Sequence, residues 1–132
     1  MPSILTTILI SILLISIFPL PYVKYTHDLN TGARCLDGTP AAIYVAEGNK
    51  DNILIFFNSG GFCEGETLLA TIESCYKRSD TNLGSSKKYN DTVDYDNKGI
   101  LSTLQEVNPN FWNWTKVYIP YCDGSLHQGS RL

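Results

Sequence analysis

Charge is missing from the start of this 132-residue chain: no Asp, Glu, Lys or Arg lies between Met1 and Val23. The run from Ile4 to Leu20, built almost wholly of Ile, Leu, Ser and Thr, leaves water readily and reads as a secretory signal peptide. No Lys or Arg precedes it and no small-x-small cleavage site follows. The same residues therefore also read as an uncleaved N-terminal signal anchor, and residues 1–23 are assigned to one or the other. Histidine is scarce too, with only His27 and His127, and neither Cys-x-x-Cys nor paired-His spacing occurs. That removes the usual zinc ligand sets, so no metal and no other cofactor is expected. A basic stripe is also lacking. The 10 Lys+Arg are set against 13 Asp+Glu, for a formal net charge of −3, and no nucleic-acid partner is expected.

What remains suits a compact secreted domain. At 43% hydrophobic and 17% charged residues, the chain can bury a core, and its length fits one domain. Four cysteines, Cys35, Cys63, Cys75 and Cys122, form an even set of the kind that pairs in an oxidising compartment. Three pairings are open. One joins Cys63 to Cys75, close in sequence, and leaves Cys35 to Cys122, which would staple the two ends of the mature segment. Each bridge would contribute roughly 3–5 kcal/mol in the chain-entropy account, the longer loop more. Two glycosylation acceptors, Asn90-Asp91-Thr92 and Asn113-Trp114-Thr115, fit the same compartment. Asn90 sits in a polar stretch, whereas Asn113 lies among Phe111, Trp112 and Trp114 and is expected to be the more buried.

Along the chain, Thr31 to Pro40 is rich in turn formers. Ala41 to Ala46 and Ile53 to Phe57 are apolar and strand-forming, and the polar Glu47 to Asn52 between them suggests a hairpin or adjacent strands. The unbroken run Ile53–Phe57 predicts a strand buried on both faces, as at the centre of an α/β sheet. Glu66 to Lys77 carries Leu68, Leu69, Ile72 and Tyr76 at helical spacing. Thr81 to Lys98 reads as a surface loop, Gly99 to Gln105 as a short helical piece, and Lys116 to Tyr121 as a second strand. Strand, loop, helix, loop, strand is the opening of an α/β sheet. A strand this close to Leu132 with no helix after it leaves that sheet half built, the sign of a fragment.

The most informative stretch is Ile53 to Cys63, Ile-Leu-Ile-Phe-Phe-Asn-Ser-Gly-Gly-Phe-Cys. A strand that breaks into paired glycines delivers a bare backbone to a place where a ligand oxygen must come close. Such a loop supplies peptide N–H groups to the oxyanion of acyl transfer.

Blocks in order extend that reading. They are Arg34-Cys35-Leu36-Asp37-Gly38 with Pro40 and Tyr44; Gly60-Gly61-Phe62-Cys63; Glu73-Ser74-Cys75 with Arg78; and Leu83-Gly84-Ser85-Ser86-Lys87. Gly99-Ile100-Leu101-Ser102, Asn108-Pro109-Asn110-Phe111, Asn113-Trp114 with Val117, and Tyr121-Cys122-Asp123-Gly124 follow. In these the chain resembles the pectinacetylesterase/Notum family of secreted carboxylesterases, from about Ala33 to Gly129. The resemblance implies an α/β-hydrolase fold, with residues 31–132 as its N-terminal part, an incomplete sheet stapled by disulfides. It implies Cys63–Cys75 and Cys35–Cys122 pairing, and a Ser-Asp-His triad that cleaves acyl esters of polysaccharide or protein. By register from Cys63, the oxyanion donors fall on Gly60 and Gly61. The family's Gly-x-Ser-x-Gly nucleophile elbow belongs downstream of Tyr121-Cys122-Asp123-Gly124, with the Asp and His later still, and none of the three is present. The loop also departs from the family pattern: Asn58-Ser59 stand where Glu-Gly is usual, and Phe62 where Trp is common.

Other candidates are weaker. Ser59 has Phe57 where a nucleophile elbow needs its first glycine, and is expected to serve as a loop hydroxyl. His127 follows the second strand but lacks a carboxylate to orient it as a base, so a surface or cleft-lining role is expected. His27 is expected to be unstructured. Asp123 is expected to shape a cleft at a strand end. Phe111, Trp112 and Trp114 read as core before they read as a sugar platform.

The expected function is thus a part of a secreted carboxylic ester hydrolase that carries the oxyanion loop and no catalytic residue of its own. Its substrate would be an acetylated polysaccharide or acylated protein, with a membrane involved only if the leader is kept. The competing expectation is a non-catalytic secreted remnant or a carbohydrate-binding protein.

Overall fold

The computed structural model describes residues 19–128. The leader run up to residue 18 lies outside the described residues. The elements are β1 (Tyr22–Thr26), β2 (Ala42–Ala46), β3 (Asn49–Phe57), helix α1 (Leu68–Ser79), the two-residue β4 (Thr92–Val93) and β5 (Trp114–Ile119). Short 3-10 turns span Leu29–Thr31 and Gly99–Leu101.

One mixed sheet runs in the order β3-β5-β2-β1-β4. β1 is antiparallel to β2 and β4, β2 is antiparallel to β5, and β3 is parallel to β5. Two expectations about the strands are corrected here. β2 and β3 form no hairpin, because β5 enters between them and takes the hydrogen bonds of both. β3 is not central: it lies at the edge, with Ile53, Ile55 and Phe57 each more than half exposed. An apolar run without alternation cannot reveal which of its faces is covered, since pattern reports hydrophobicity and only long-range pairing decides position. His27 is structured, its N–H donating to the Ala41 carbonyl at 2.9 Å just beyond β1.

The strand period of two sorts the sheet into unlike faces. On one, Tyr22, Tyr44, Ala46 and Leu101 form the buried cluster, with Leu54, Tyr89, Val93, Tyr95 and Tyr118 packed against it. Tyr22 meets Tyr95 edge-on at 4.9 Å, and Tyr95 meets Tyr118 at 4.7 Å. The segment read as a surface loop over Thr81–Lys98 therefore supplies two core rings and β4. Burial pushes the Tyr22, Tyr44 and Tyr95 hydroxyls up and the Tyr89 hydroxyl up to about 12. Tyr22, Tyr44 and Tyr89 donate instead to the carbonyls of Leu101, Asn90 and Asn82 at 2.6–2.8 Å. On the opposite face Val23, Val45, Val117 and Ile55 lie in successive register; Val23, Tyr25, Ile53 and Ile55 there are exposed, and Val45 and Val117 are half-buried. No described helix covers them.

Helix α1 is capped by Thr67, whose hydroxyl accepts the Ala70 N–H at 3.2 Å. Lys77 and Arg78 stand in its last turn, where cations suit the helix dipole. Its apolar positions Leu68, Leu69, Ile72 and Tyr76 are exposed, Leu68 at 78%. The helix is thus where its periodicity predicts, but its apolar stripe faces away from the sheet. No described helix is long and apolar enough to cross a membrane.

Candidate functional site

The glycine loop leaves the C-terminal end of β3, where an α/β sheet gathers its functional groups. Asn58 is its last sheet-like residue, its N–H donating to the Ile119 carbonyl at 2.9 Å. From there every loop carbonyl but that of Ser59 is taken. His127 Nε2 donates to the Asn58 carbonyl at 2.9 Å, and Arg78 Nη1 to Gly60 O at 2.5 Å. The Tyr121 hydroxyl donates to Gly61 O at 2.5 Å, and Arg78 Nη2 to Phe62 O at 2.9 Å. The Cys63 N–H closes the segment on the Gly124 carbonyl at 3.4 Å.

The N–H groups tell the opposite story. Among the described residues, none of Ser59, Gly60, Gly61 or Phe62 gives its N–H to a protein acceptor. No peptide among the described residues is cis, so each planar peptide points its N–H away from its own carbonyl. Holding the carbonyls of Asn58, Gly60 and Gly61 therefore turns out the N–H groups of Ser59, Gly61 and Phe62. These N–H groups have no internal partner, and each is thereby free to bind an anion or a developing oxyanion on its own side of the loop.

Both glycines are required for different reasons. A Cβ on Gly60 would overlap the Tyr121 ring, which is 1% exposed and cannot swing away. Gly61 has room, with Arg78 Nη2 the nearest atom at 3.8 Å from where a Cβ would sit, but φ is +74°, a conformation that costs side-chain-bearing residues roughly 1–2 kcal/mol.

The loop is clamped from α1. Cys63 bonds Cys75, and Cys35 bonds Cys122, across 12 and 87 residues of chain. Both pairs are those expected, and no described cysteine is free. The long bridge joins two chains already parallel in purpose, since the Leu36 N–H also donates to Cys122 O at 2.9 Å. Beside it, Asp37 takes the Thr39 N–H at 3.0 Å and the Lys87 ammonium at 3.2 Å. Burial opposes the Asp37 charge, but its hydrogen bonds from Thr39, Ser85 and Lys87 outweigh that and hold the carboxyl well below the usual range.

The remaining candidates separate cleanly. Ser59 is exposed in the loop and no described base reaches it. His127 packs edge-on against Phe57 and Tyr121, both at 5.2 Å, and its Nε2 is engaged with a carbonyl, so it braces the loop. It adopts φ of +56° beside Leu126 at +59°, a strained pair just where Leu126 N–H meets the Tyr121 hydroxyl at 3.1 Å. Asp123 shapes its own turn, accepting from Ser125 N–H at 3.2 Å and Ser125 Oγ at 2.8 Å. With Arg34, Ile43, Phe57, Ile119 and His127 it lines an open cleft of about 710 Å³ on the uncovered face of the sheet. Phe111 and Trp114 meet edge-on at 4.9 Å and are half-buried. Asn90 and Asn113 are both exposed, Asn113 contrary to expectation, although Phe111, Trp112 and Trp114 around it are half-buried. Among the described residues no three metal-binding side chains converge. Arg78 and Tyr121 were not singled out as site residues by sequence. The spacing of Arg78 three residues after Cys75 was the available signal, since it places both on one face of a helix.

The architecture is a disulfide-stapled α/β sheet of the α/β-hydrolase type. The Pectinacetylesterase family model matches residues 18–132, and the chain belongs to that family. Among its relatives, pectin acetylesterase 7 of Arabidopsis thaliana is 32% identical over 126 residues, covering 93% of this chain and 30% of the relative. The palmitoleoyl-protein carboxylesterase notum1a of Danio rerio is 36% identical over 125 residues, covering 87% of this chain and 23% of the relative. The chain thus spans less than a third of the length of these relatives. A third, the inactive palmitoleoyl-protein carboxylesterase notum1b of Danio rerio, is 32% identical over 122 residues, covering 87% of this chain and 84% of the relative.

Proposed function

We propose that this chain supplies the oxyanion-binding half of a secreted carboxylic ester hydrolase, with Gly60 and Gly61 as donors and the serine nucleophile, Asp and His outside its 132 residues. The observation that carries the proposal is the asymmetry of the loop: the carbonyls of Asn58, Gly60, Gly61 and Phe62 are all occupied, while the N–H groups of residues 59–62 are open. In acyl transfer those donors hold the carbonyl oxygen as it gains charge, and losing one such donor typically costs about 2.7–4 kcal/mol of transition-state stabilisation. The relatives' names support an ester substrate, either acetylated pectin or a palmitoleoylated protein. An edge strand parallel to its neighbour, with a bare apolar face beside it, suits continuation into further strands and covering helices.

The disulfides, the exposed acceptors Asn90 and Asn113, and the apolar leader run support passage through the secretory pathway. A leader removed ahead of Tyr22 would leave the sheet intact, since β1 begins there. The chain on its own is expected to hydrolyse p-nitrophenyl acetate no faster than buffer. Turnover abolished by a serine-directed reagent would overturn the proposal, and so would an open reading frame past Leu132 that lacks Gly-x-Ser-x-Gly.

A second reading, a non-catalytic secreted protein, is favoured by one observation. A relative of similar extent, notum1b, is named inactive. A secreted, monomeric chain of this length with cooperative melting would support it over the first.

A further inference from the structure

We infer that Arg78 is the positioning residue of the glycine loop, the group that aims the Gly61 N–H outward as a donor. The inference rests on the oxyanion reading above and names what maintains it. The guanidinium spans two carbonyls one residue apart, Gly60 O at 2.5 Å and Phe62 O at 2.9 Å. The carbonyl between them, Gly61 O, turns to the Tyr121 hydroxyl at 2.5 Å. Alternate peptides therefore face alternate ways. Because Gly60 O is drawn to Arg78, the N–H of the same peptide, that of Gly61, must point away from it.

The helix is built for this task. Thr71, Ser74, Cys75 and Arg78 recur at the i, i+3, i+4, i+7 spacing of one helical face, and all four touch the segment 60–65. Thr71 Oγ1 donates to Gly65 O at 3.4 Å, Ser74 Oγ accepts the Glu64 N–H at 3.4 Å, and Cys75 is bonded to Cys63. The apolar stripe lies elsewhere and no α1 residue is buried, so the polar stripe is what joins the helix to the fold. Within it the disulfide fixes the end of the loop, and Arg78 alone reaches the glycines. Two carbonyl acceptors at fixed separation call for the planar two-pronged guanidinium; an ammonium is a single point of charge. Its charge also lies close to the donor, with Nη2 about 3.8 Å from where a Gly61 side chain would begin.

The test is amide NMR on the uniformly labelled chain, with sodium acetate as the anion probe at constant ionic strength. In the wild type the Gly60 and Gly61 amides should shift saturably with acetate. In Arg78→Met the Gly61 amide should move in the free spectrum and acetate affinity should fall by at least about tenfold, the equivalent of one charge-assisted hydrogen bond. Arg78→Lys should be intermediate and serves if Arg78→Met does not fold. Lys77→Met, which removes the same charge from the adjacent exposed position paired with Glu73, should match the wild type. An unmoved Gly61 amide and unchanged acetate affinity in folded Arg78→Met or Arg78→Lys would overturn the positioning role while leaving the oxyanion reading intact. A wild-type loop silent to acetate would overturn the oxyanion reading and the donor role with it. Displacement of the Gly61 amide in Arg78→Met would then still support Arg78 as the group that orients the peptide.

Discussion

Lys116 is fully buried in β5, and among the described residues no carboxylate lies within ion-pair distance of it. Its ammonium donates to the Trp112 carbonyl at 2.8 Å and the Trp114 carbonyl at 3.3 Å, while its stem lies in register with Ala46 and Leu54. Burial alone pulls its pKa down to about 8, against about 10.4 in an unfolded chain. The sign follows from linkage. Below pH 8 both states carry the proton and folding bears the full cost of burying the charge. As the pH rises above 8 the folded state releases the proton first, and stability should climb by about 1.4 kcal/mol per pH unit. From pH 8 to 9.5 that amounts to about 2 kcal/mol. The buried tyrosines act in the opposite sense at higher pH, because their raised values favour the protonated folded state and the unfolded chain ionises first. Lys116→Met removes the lysine and keeps the tyrosines. The quantity to measure is therefore the difference in urea-unfolding free energy between wild type and Lys116→Met at pH 7, 8, 9 and 9.5. With no free described cysteine, the disulfides have no internal thiol to exchange with. Wild type should gain on the variant as pH rises, by about 2 kcal/mol over the last 1.5 units. A pH-independent difference would refute the claim that Lys116 is buried unpaired.

Two more perturbations probe the loop and its support. Gly60→Ala forces a methyl into the fixed Tyr121 ring and should cost about 3 kcal/mol or more, whereas Gly61→Ala meets only the positive-φ penalty of about 1–2 kcal/mol. Urea denaturation of both should rank them in that order, and equal costs would remove Tyr121 as the obstacle. Asp37→Ala strips acceptors from the Thr39 N–H and the Lys87 ammonium and should destabilise by about 1.5–3 kcal/mol at neutral pH. The depressed Asp37 pKa gives stability that is present above about pH 4 and fades as pH falls through the carboxylate range. Wild type and variant should accordingly converge in acid melts, and a gap that persists undiminished below pH 2 would contradict the charge-based account.

Sequence and structure agree where local pattern decides. α1 and β5 carry enough periodicity to be legible, and the glycine pair announces a loop that no side chain may fill. β1 was hidden because Tyr22-Val-Lys-Tyr-Thr abuts the charge-free run and merges with it. The edge position of β3 was illegible because it depends on β5, more than fifty residues on, entering between β2 and β3. Lys116 gives no sequence sign of burial, since lysine inside is exceptional and only the register with Ala46 places it there. The glycine pair was legible from its own pattern and the two disulfides from the family resemblance, while the carbonyl contacts of Arg78 and Tyr121 were not, the spacing of Arg78 from Cys75 being the one hint.

The site and the uncovered apolar surface are mechanically separate, and this has a testable consequence. The glycine loop is held by α1's polar stripe, Tyr121, His127 and the Cys63–Cys75 bridge, none of which draws on Ile53 or Ile55. Those two project from an edge strand on the bare face, each more than half exposed, and an exposed apolar edge strand invites association. Replacing both by threonine keeps the β-branch and removes apolar surface. Since little packing is lost, unfolding free energy should change by no more than about 0.5 kcal/mol per site. Sedimentation velocity should show a smaller associated fraction than wild type at equal concentration, and the Gly60 and Gly61 amides should keep their positions. A loss of several kcal/mol would mean that the face is packed in the free chain. A displaced Gly61 amide would mean that loop geometry is transmitted through β3, and the clamp from α1 would then be insufficient to explain it.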